Sequence, residues 1–404
     1  MVTLKDIEDA YTLRVRPEVR RTPLYTSDSV SAAAHCSELH MKMENLQGTG
    51  SFKLRGATNR IGLLTDAERA SGVITASAGN HAQGVALAAR QAGVPATVYM
   101  PKAASLAKIQ ATEGYGAEVI LEGANFDEAV AAAKARSVQT GQVFISAYDD
   151  DSIIAGQGSV GLEILEDLPD LDTVVVPIGG GGLFSGIAIA IKALRPSCRV
   201  IGVQAAGADG AAQSFKAGQL LPRQAPCDTI ADGIAIKGPS ERTFHYIKTL
   251  ADDVVTVDDA TIADAILLLL TRMKVLVEPS GAAGLAALMA HPGLGQGKTA
   301  VVLCGGNIDI KLLSDLIERG MVRLGRYVHL FTTCPDRPGG LAALLDTVAS
   351  AGGNIMEVTH NRISPSVPYG RTGVELLIEV RGASHAEALK AHLEQRGYVA
   401  HPPE

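Results

Sequence analysis

The chain has 404 residues and a formal net charge of −7; 47% of its residues are apolar and 20% are charged. That length exceeds one ordinary core and predicts two or three domains. An acidic balance with no basic face argues against a nucleic-acid partner, and five scattered cysteines (Cys36, Cys198, Cys227, Cys304 and Cys334) lack metal-site or redox spacing and suit a reducing, cytoplasmic setting.

The opening residues, MVTLKDIEDAYTLRVRP, carry no apolar run of the signal-peptide kind. From about residue 20 to 310, short β-rich runs alternate with Ala-rich helical stretches. Strands are expected at Gly72–Ala76, Ala96–Met100, Glu118–Leu121, Thr173–Ile178, Val200–Gln204, Val254–Val257 and Thr299–Leu303. Between them, Asn80–Ala92, Phe126–Thr140 and Ser185–Leu194 read as helices. Charges at Asp264, Arg272 and Lys274 interrupt the Leu-rich stretch Ala260–Val277, which reads as a buried helix and not as a membrane span. Such alternation gives open, mostly parallel sheets covered by helices, with ligands in the loops that leave the strand ends. Near Arg326 the texture changes. Tyr327–Cys334, Leu341–Ala351, Asn354–Ile363, Thr372–Val380, Ser384–Arg396 and Tyr398–His401 read as βαββαβ, a ferredoxin-like unit, with a turn-rich loop over residues 364–371. The boundary is placed at about residue 326.

Four loops carry candidate chemistry. In SFKLRGA (Ser51–Ala57), Lys53 offers an amine able to form a Schiff base, Phe52 a flat apolar surface, and Arg55 a charge that would disfavour a protonated neighbour. A solvated lysine at a helix start is the competing reading. SAGNHAQG (Ser77–Gly84) follows a strand and opens a helix, a ready site for a carboxylate or phosphate, or simply a capped turn. Gly179–Gly182 lie between a strand and a helix, where converging backbone amides suit one anion better than a linker would. In VVLCGGNID, Cys304 ends a strand, either facing a ligand ring or filling core. The dinucleotide fingerprint is excluded because Phe184 or Ser185 stands where its last glycine should be and Gln204 ends the next strand. PGLGQGKT lacks the first glycine of a nucleotide P-loop and runs from helix to strand, so it reads as a plain loop.

In this order and spacing, SFKLRGA, SAGNHAQG, GGGGL and CGGN resemble the threonine dehydratases, or threonine ammonia-lyases, of the fold-type II pyridoxal-phosphate enzymes, over nearly the whole chain. The resemblance implies an α/β fold with two open sheets and a catalytic region over residues 1–325, in which a smaller subdomain (about 45–150) is inserted. It implies pyridoxal 5'-phosphate held on Lys53 with Phe52 against its ring, and a substrate carboxylate held by Ser77, Ala78, Gly79, Asn80 and His81. Asn80 would also reach the cofactor's phenolic oxygen. Gly179, Gly180, Gly181, Gly182 and Leu183 would cradle the phosphate, Cys304 would sit near the pyridine nitrogen, where many relatives have serine, and Gly233 along the cofactor edge. Two departures narrow the chemistry. Serine racemases of this fold carry a second serine where this chain has Ala78, and cation-binding relatives use an acidic residue where it has Gln204, so neither racemisation nor a metal site is expected.

Residues 326–404 resemble an ACT domain through the topology, the turn DRPGGL and the strand start GGNI. This implies an amino-acid effector, isoleucine or valine, near Asp336, Gly340, Leu341 and Asn354 between paired modules, in a homodimer or homotetramer. A dimerisation module that binds nothing is the competing reading. The implied activity is elimination of water and ammonia from L-threonine, and from L-serine too. A serine or hydroxyaspartate dehydratase, or an amino-acid sensor with a relic catalytic half, stays open, as does a biosynthetic against a catabolic role.

Overall fold

Val, Ile and Ala crowd the strands of the first 308 residues, and helices on both faces bury them, as a mostly parallel sheet requires. The computed structural model describes residues 1–222, 226–362 and 367–402. It divides into two compact units, Met1–Ile308 and Asp309–Glu404. The boundary therefore precedes the expected one near 326, because the helix Ile310–Arg323 groups with the second unit.

In the first unit, β1 (Leu24–Thr26), β2 (Glu38–Lys42), β7 (Thr173–Pro177), β8 (Arg199–Ala205), β9 (Asp253–Val257) and β10 (Lys298–Val302) form a six-stranded sheet in the order β1-β2-β10-β7-β8-β9. Only the β1–β2 pair is antiparallel. A second, parallel sheet, ordered β5-β4-β3-β6, is inserted between β2 and β7 and comprises β3 (Val73–Ala76), β4 (Ala96–Met100), β5 (Glu118–Leu121) and β6 (Val143–Phe144). Each strand expected before residue 310 forms within one residue of its expected ends. β2 was not legible: ELHMK has no β-branched residue, and its strand form comes from pairing with β10. The stretch Ala260–Val277 differs from expectation. Its helix winds into a π turn over Leu269–Met273 and stops at Lys274, whose φ of 62° is left-handed, and only Ile262, Ala265, Ile266, Leu269 and Val277 are buried. No helix among the described residues is long and apolar enough to cross a membrane.

The helix Lys53–Gly62 packs against the helix Asp151–Asp167 with backbones nearly touching: a Cβ on Gly156 would lie 2.7 Å from the Gly56 Cα. A buried charge network locks this contact. Arg55 donates to Glu44 through Nε (2.8 Å) and Nη2 (2.8 Å), and to Glu163 through Nη1 (2.8 Å) and Nη2 (2.8 Å). Lys42 donates to Glu163 at 2.6 Å and to the Thr22 carbonyl at 2.6 Å, while the Thr22 hydroxyl donates to Glu44. Burial works against the Glu44 charge, yet Arg55 beside it holds its carboxyl below the usual carboxylate range.

In the second unit, β11 (Tyr327–Pro335), β12 (Asn354–Asn361) and β13 (Arg371–Glu379) form an antiparallel sheet ordered β11-β13-β12, with the helices Gly340–Ser350 and Ala383–Gln395 packed on it. The expected last strand, Tyr398–His401, shrinks to a single bridge between His401 and Phe331. The strand expected at Asn354–Ile363 ends at Asn361; Ile363 and residues 364–366 of the expected loop lie outside the described residues.

Arg55 has two carboxylates that no other group would neutralise fully. Arg55→Met is expected to destabilise the chain by about 3–5 kcal/mol, the range for breaking one side of a buried ion pair, read from the midpoint of urea unfolding.

Candidate active site

Lys53 is the first residue of its helix, so its backbone N–H has no partner within that helix. The loop before it is stitched to the loop after β10: Ser51 bridges Gly305, the Phe52 N–H donates to the Cys304 carbonyl (3.2 Å), and the Gly306 N–H donates to the Gly50 carbonyl (2.8 Å). Gly84 lets the helix Asn80–Ala92 approach from the other side, since a Cβ there would lie 3.2 Å from the Lys53 Cβ. The amine donates to the Ala147 carbonyl at 2.9 Å and sits 5.1 Å from the Phe52 ring centre. Desolvation lowers its pKa to about 8, against the opposing pull of Cys304 and Glu278. Arg55 takes no part in this: its guanidinium is spent in the buried network, so the close approach that would let it disfavour a charged Lys53 does not occur.

The Ser77–His81 loop leads into a helix that no side chain caps at Gly79, leaving its first N–H groups open to an anion. Ser77 Oγ accepts from the Gly79 N–H at 3.2 Å. Ala78 presents no polar group. Asn80 is held at both ends, its Nδ2 donating to Glu278 Oε1 (2.7 Å) and its Oδ1 accepting from Asn307 Nδ2 (2.7 Å). The His81 ring turns away to the Ile145 carbonyl (3.1 Å), and burial, with Lys53 nearby, pushes it down to about 3, so the ring is neutral and only the backbone of His81 faces the loop.

Gly179–Gly181 join β7 to the helix Gly182–Leu194 with no side-chain cap. Side chains are excluded here by contact. A Cβ at Gly180 would fall within the Tyr148 ring, one at Gly182 3.0 Å from the Tyr148 Cβ, and one at Gly179 3.1 Å from the Ile234 Cα. Gly181 has φ 92°, and a Cβ there would lie 2.8 Å from the Thr243 Cβ. The result is a backbone cradle at the positive end of a helix dipole, fit for a phosphate. Leu183 is buried behind it.

Cys304 is 3% exposed, and its thiol donates to the Ser280 carbonyl at 3.5 Å. Burial pushes its pKa well up, so it stays a neutral thiol. Gly233 lies against Ser280, whose Oγ is buried and without a hydrogen-bond partner; a Cβ at Gly233 would come within 2.8 Å of that oxygen. An orphaned hydroxyl, a glycine cradle and a lysine of lowered pKa on adjoining loops fit a cofactor that brings polar atoms of its own. Sequence reasoning missed Tyr148, Glu278 and Ser280, and it assigned no role to Asn307, the last residue of CGGN. The only signal was local: Pro279 just inside a helix start flags Glu278 and Ser280 as loop-end residues.

Gln204, where cation-binding relatives carry an acid, is buried and caps a helix instead. Its Oε1 accepts from the Ala211 (2.8 Å) and Ala212 (2.9 Å) N–H groups, and its Nε2 donates to the Ile178 carbonyl (3.3 Å). Asp209 accepts from Gln213 Nε2 at 2.8 Å. Among the described residues no group of three or more His, Cys, Asp or Glu side chains could hold a metal ion.

The second unit does not gather its four candidate residues. Asp336 follows β11 and pairs with Arg362 (3.3 Å), next to Gly340, which starts a helix, and Leu341. Asn354 starts β12 at the level of Glu379 and Tyr327, at the other end of the sheet, and donates to Glu379 at 3.1 Å. A strand the length of β11, roughly 25–30 Å at the usual rise per residue, separates the two sets within one copy.

A lysine that gives up its proton near neutral pH, beside backbone cradles for two anions, is the equipment of an enzyme that holds an aldehyde cofactor and an amino acid. The sequence pattern of the pyridoxal-phosphate dependent enzymes matches residues 15–305, and the chain belongs to that family. It is 47% identical over 398 residues to the L-threonine ammonia-lyase of Thermotoga maritima, covering 98% of each chain. Among solved structures, maize serine racemase superimposes with a TM-score of 0.74 at 38% identity, covering 80% of this chain and 98% of that one. The processed form of threonine deaminase isoform 2 from Solanum lycopersicum gives a TM-score of 0.74 at 34% identity, covering 79% and 87%. Both structures thus match a span about as long as the first unit, whereas the Thermotoga relative matches nearly the full length.

Gly181→Ala places a side chain at positive φ against Thr243. With about 1–2 kcal/mol of left-handed strain, affinity for pyridoxal phosphate should fall about ten-fold, measured by equilibrium dialysis.

Proposed function

We propose that this chain is an L-threonine ammonia-lyase that releases 2-oxobutanoate and ammonia. The observation that carries the reading is 47% identity along 98% of the length of such an enzyme, and the desolvated Lys53 amine supports it. In this reading Lys53 holds pyridoxal phosphate, Phe52 packs on its ring, Gly179–Leu183 take its phosphate, and Cys304 and Gly233 line its far edge. The bound cofactor supplies the electron sink for the α-carbon. The chain supplies the rest. The Ser77–His81 loop holds the substrate carboxylate, chiefly through the uncapped N–H groups at the start of the helix Asn80–Ala92, and Asn80 offers its amide. The Lys53 amine is available in its neutral form to take the α-proton of the substrate, because desolvation has removed most of its preference for the charged state. The β-hydroxyl leaves as water with a proton equivalent to the one that Lys53 takes from the α-carbon, and the released enamine tautomerises to an imine that takes up water to give 2-oxobutanoate and ammonia. A neutral thiol at Cys304 makes no strong ion pair with a ring nitrogen, which favours prompt elimination.

Ala78 supports a lyase over a racemase, since it offers no hydroxyl to act as base on the opposite face. A relic catalytic half would have no use for a desolvated lysine. Serine is an alternative substrate, because the one methyl group that separates it from threonine is worth only about 1–3 kcal/mol in an apolar pocket; hydroxyaspartate is a further alternative that would need a partner for its second carboxylate. For the second unit we propose an ACT-type role. Asp336, Gly340 and Leu341 of one copy and Asn354 of another would share an effector, which accounts for their separation within one copy and calls for at least a homodimer. Such a ligand regulates only by binding one state better.

Keto-acid release from threonine, serine and hydroxyaspartate, assayed with and without isoleucine, is expected to be highest with threonine; no release from threonine would overturn the reading. Lys53→Ala should abolish borohydride trapping of the cofactor on the chain. Because the neutral amine is the nucleophile, the rate of cofactor loading should rise with pH through about 8, well below an ordinary lysine's range. Deleting residues 309–404 should remove every amino-acid effect on the rate; an unchanged response to isoleucine would reject the sensor role.

A further inference from the structure

Glu278 lies outside the four motifs and inside the site they build. It precedes the helix Pro279–Ala290 without capping it; its carboxyl turns toward the loop after β10. It is 4% exposed. Its Oε1 accepts from Asn80 Nδ2 at 2.7 Å, the Asn307 N–H also donates to the carboxyl, and the Glu278 N–H donates to the Gly305 carbonyl at 3.0 Å. Two glycines make room for it: a Cβ on Gly305 would overlap the carboxylate, and one on Gly233 would lie 3.6 Å from Oε1. Burying an acid with no full ionic partner is unfavourable for folding alone, which points to a use.

The use is visible in Asn80. Its Oδ1 accepts from Asn307 Nδ2 (2.7 Å), which also donates to the Thr49 carbonyl (2.8 Å). With Asn307 donating on one side and a carboxylate accepting on the other, only one orientation of the Asn80 amide satisfies both. That orientation leaves the second Nδ2 hydrogen for a ligand acceptor. A protonated Glu278 is a weaker acceptor and itself a donor, so the restraint lapses.

We propose that Glu278 is a positioning residue for the reaction at Lys53: its ionised carboxyl fixes the Asn80 amide so that one N–H is aimed at the bound cofactor. The proposal rests on the reading of Asn80 as a cofactor contact. The charged and titratable groups facing Glu278 come from four elements. Asp232, beside Gly233, opposes ionisation; Lys108, paired with Asp232 at 3.3 Å, favours it; the Lys53 amine faces it from its helix, and the neutral Cys304 thiol from β10's end. Burial dominates, Asp232 adds to it, and the carboxyl is raised to about 7. Glu278 is therefore ionised above that pH, and the alignment is lost as pH falls through it.

The test uses the full-length chain loaded with pyridoxal phosphate and titrated across neutral pH, reading the visible absorption of the bound cofactor and its affinity by dialysis. The unsubstituted protein should show a transition near pH 7, with affinity falling up to about ten-fold per pH unit below it, the limit for one linked proton. Glu278→Gln should flatten that transition, and Glu278→Asp should keep one with a shifted midpoint. A Glu278→Gln protein with the transition at the unsubstituted midpoint overturns the proposal. If that variant does not fold, an unmoved midpoint in Glu278→Asp overturns it equally. Neither readout needs threonine. A chain with the Glu278-dependent transition that releases no keto acid from threonine therefore rejects the functional reading and leaves the positioning role standing.

Discussion

The buried contact of Arg55 with Glu44 and Glu163, completed by Lys42, is the constraint on which the site depends. Two cations and two carboxylates, none more than 2% exposed, balance in charge and satisfy one another's hydrogen bonds. Removed from water singly, each would carry a large desolvation penalty; together they hold one geometry. That geometry joins the end of β2, the helix that begins at Lys53 and the helix Asp151–Asp167. Lys53 has its place because Arg55, two residues later in the same helix, has no freedom.

Around that fixed lysine, function is assembled almost wholly from backbone. The chain is acidic overall, yet it must hold a phosphate and a carboxylate. In the proposed reading it does so at two helix N-termini that no side chain caps, one after β3 and one after β7. Glycines serve there by what they lack: at Gly180 and Gly182 the space of a side chain belongs to Tyr148, and at Gly305 it belongs to Glu278. Desolvation then tunes the titrating groups in opposite senses, lowering the lysine and raising the glutamate, so that both change state near neutral pH. Such a pair of converging shifts is a frequent mark of a reactive site.

The second unit has its own core, built from β11, β13 and the inner faces of two helices, and leaves most of β12 exposed along an outer edge. An edge strand with unpaired backbone groups is available for pairing with another chain. This agrees with the proposed site shared between copies.

The sequence by itself determined the alternation of strands and helices and the glycine cradle, because each rests on local pattern: β-branched runs, helical periodicity, and glycines between a strand and a helix. The inserted sheet and the candidate lysine were legible only through the resemblance that the four loops carry together. It also exposed Gln204 and Ala78 as departures, since a residue's identity needs no fold to be read. What it did not hold was contact. Nothing in SFKLRGA says that Arg55 turns from Lys53 into a buried network, and nothing in SAGNHAQG says that the His81 ring is held by Ile145. Glu278 and Asn307 lie about 200 residues or more beyond Asn80 in the chain and became its partners only when β10 paired between β2 and β7. The side chains that set protonation and orientation here are decided by packing across the sheets, and packing over such separations leaves no periodic trace in the sequence.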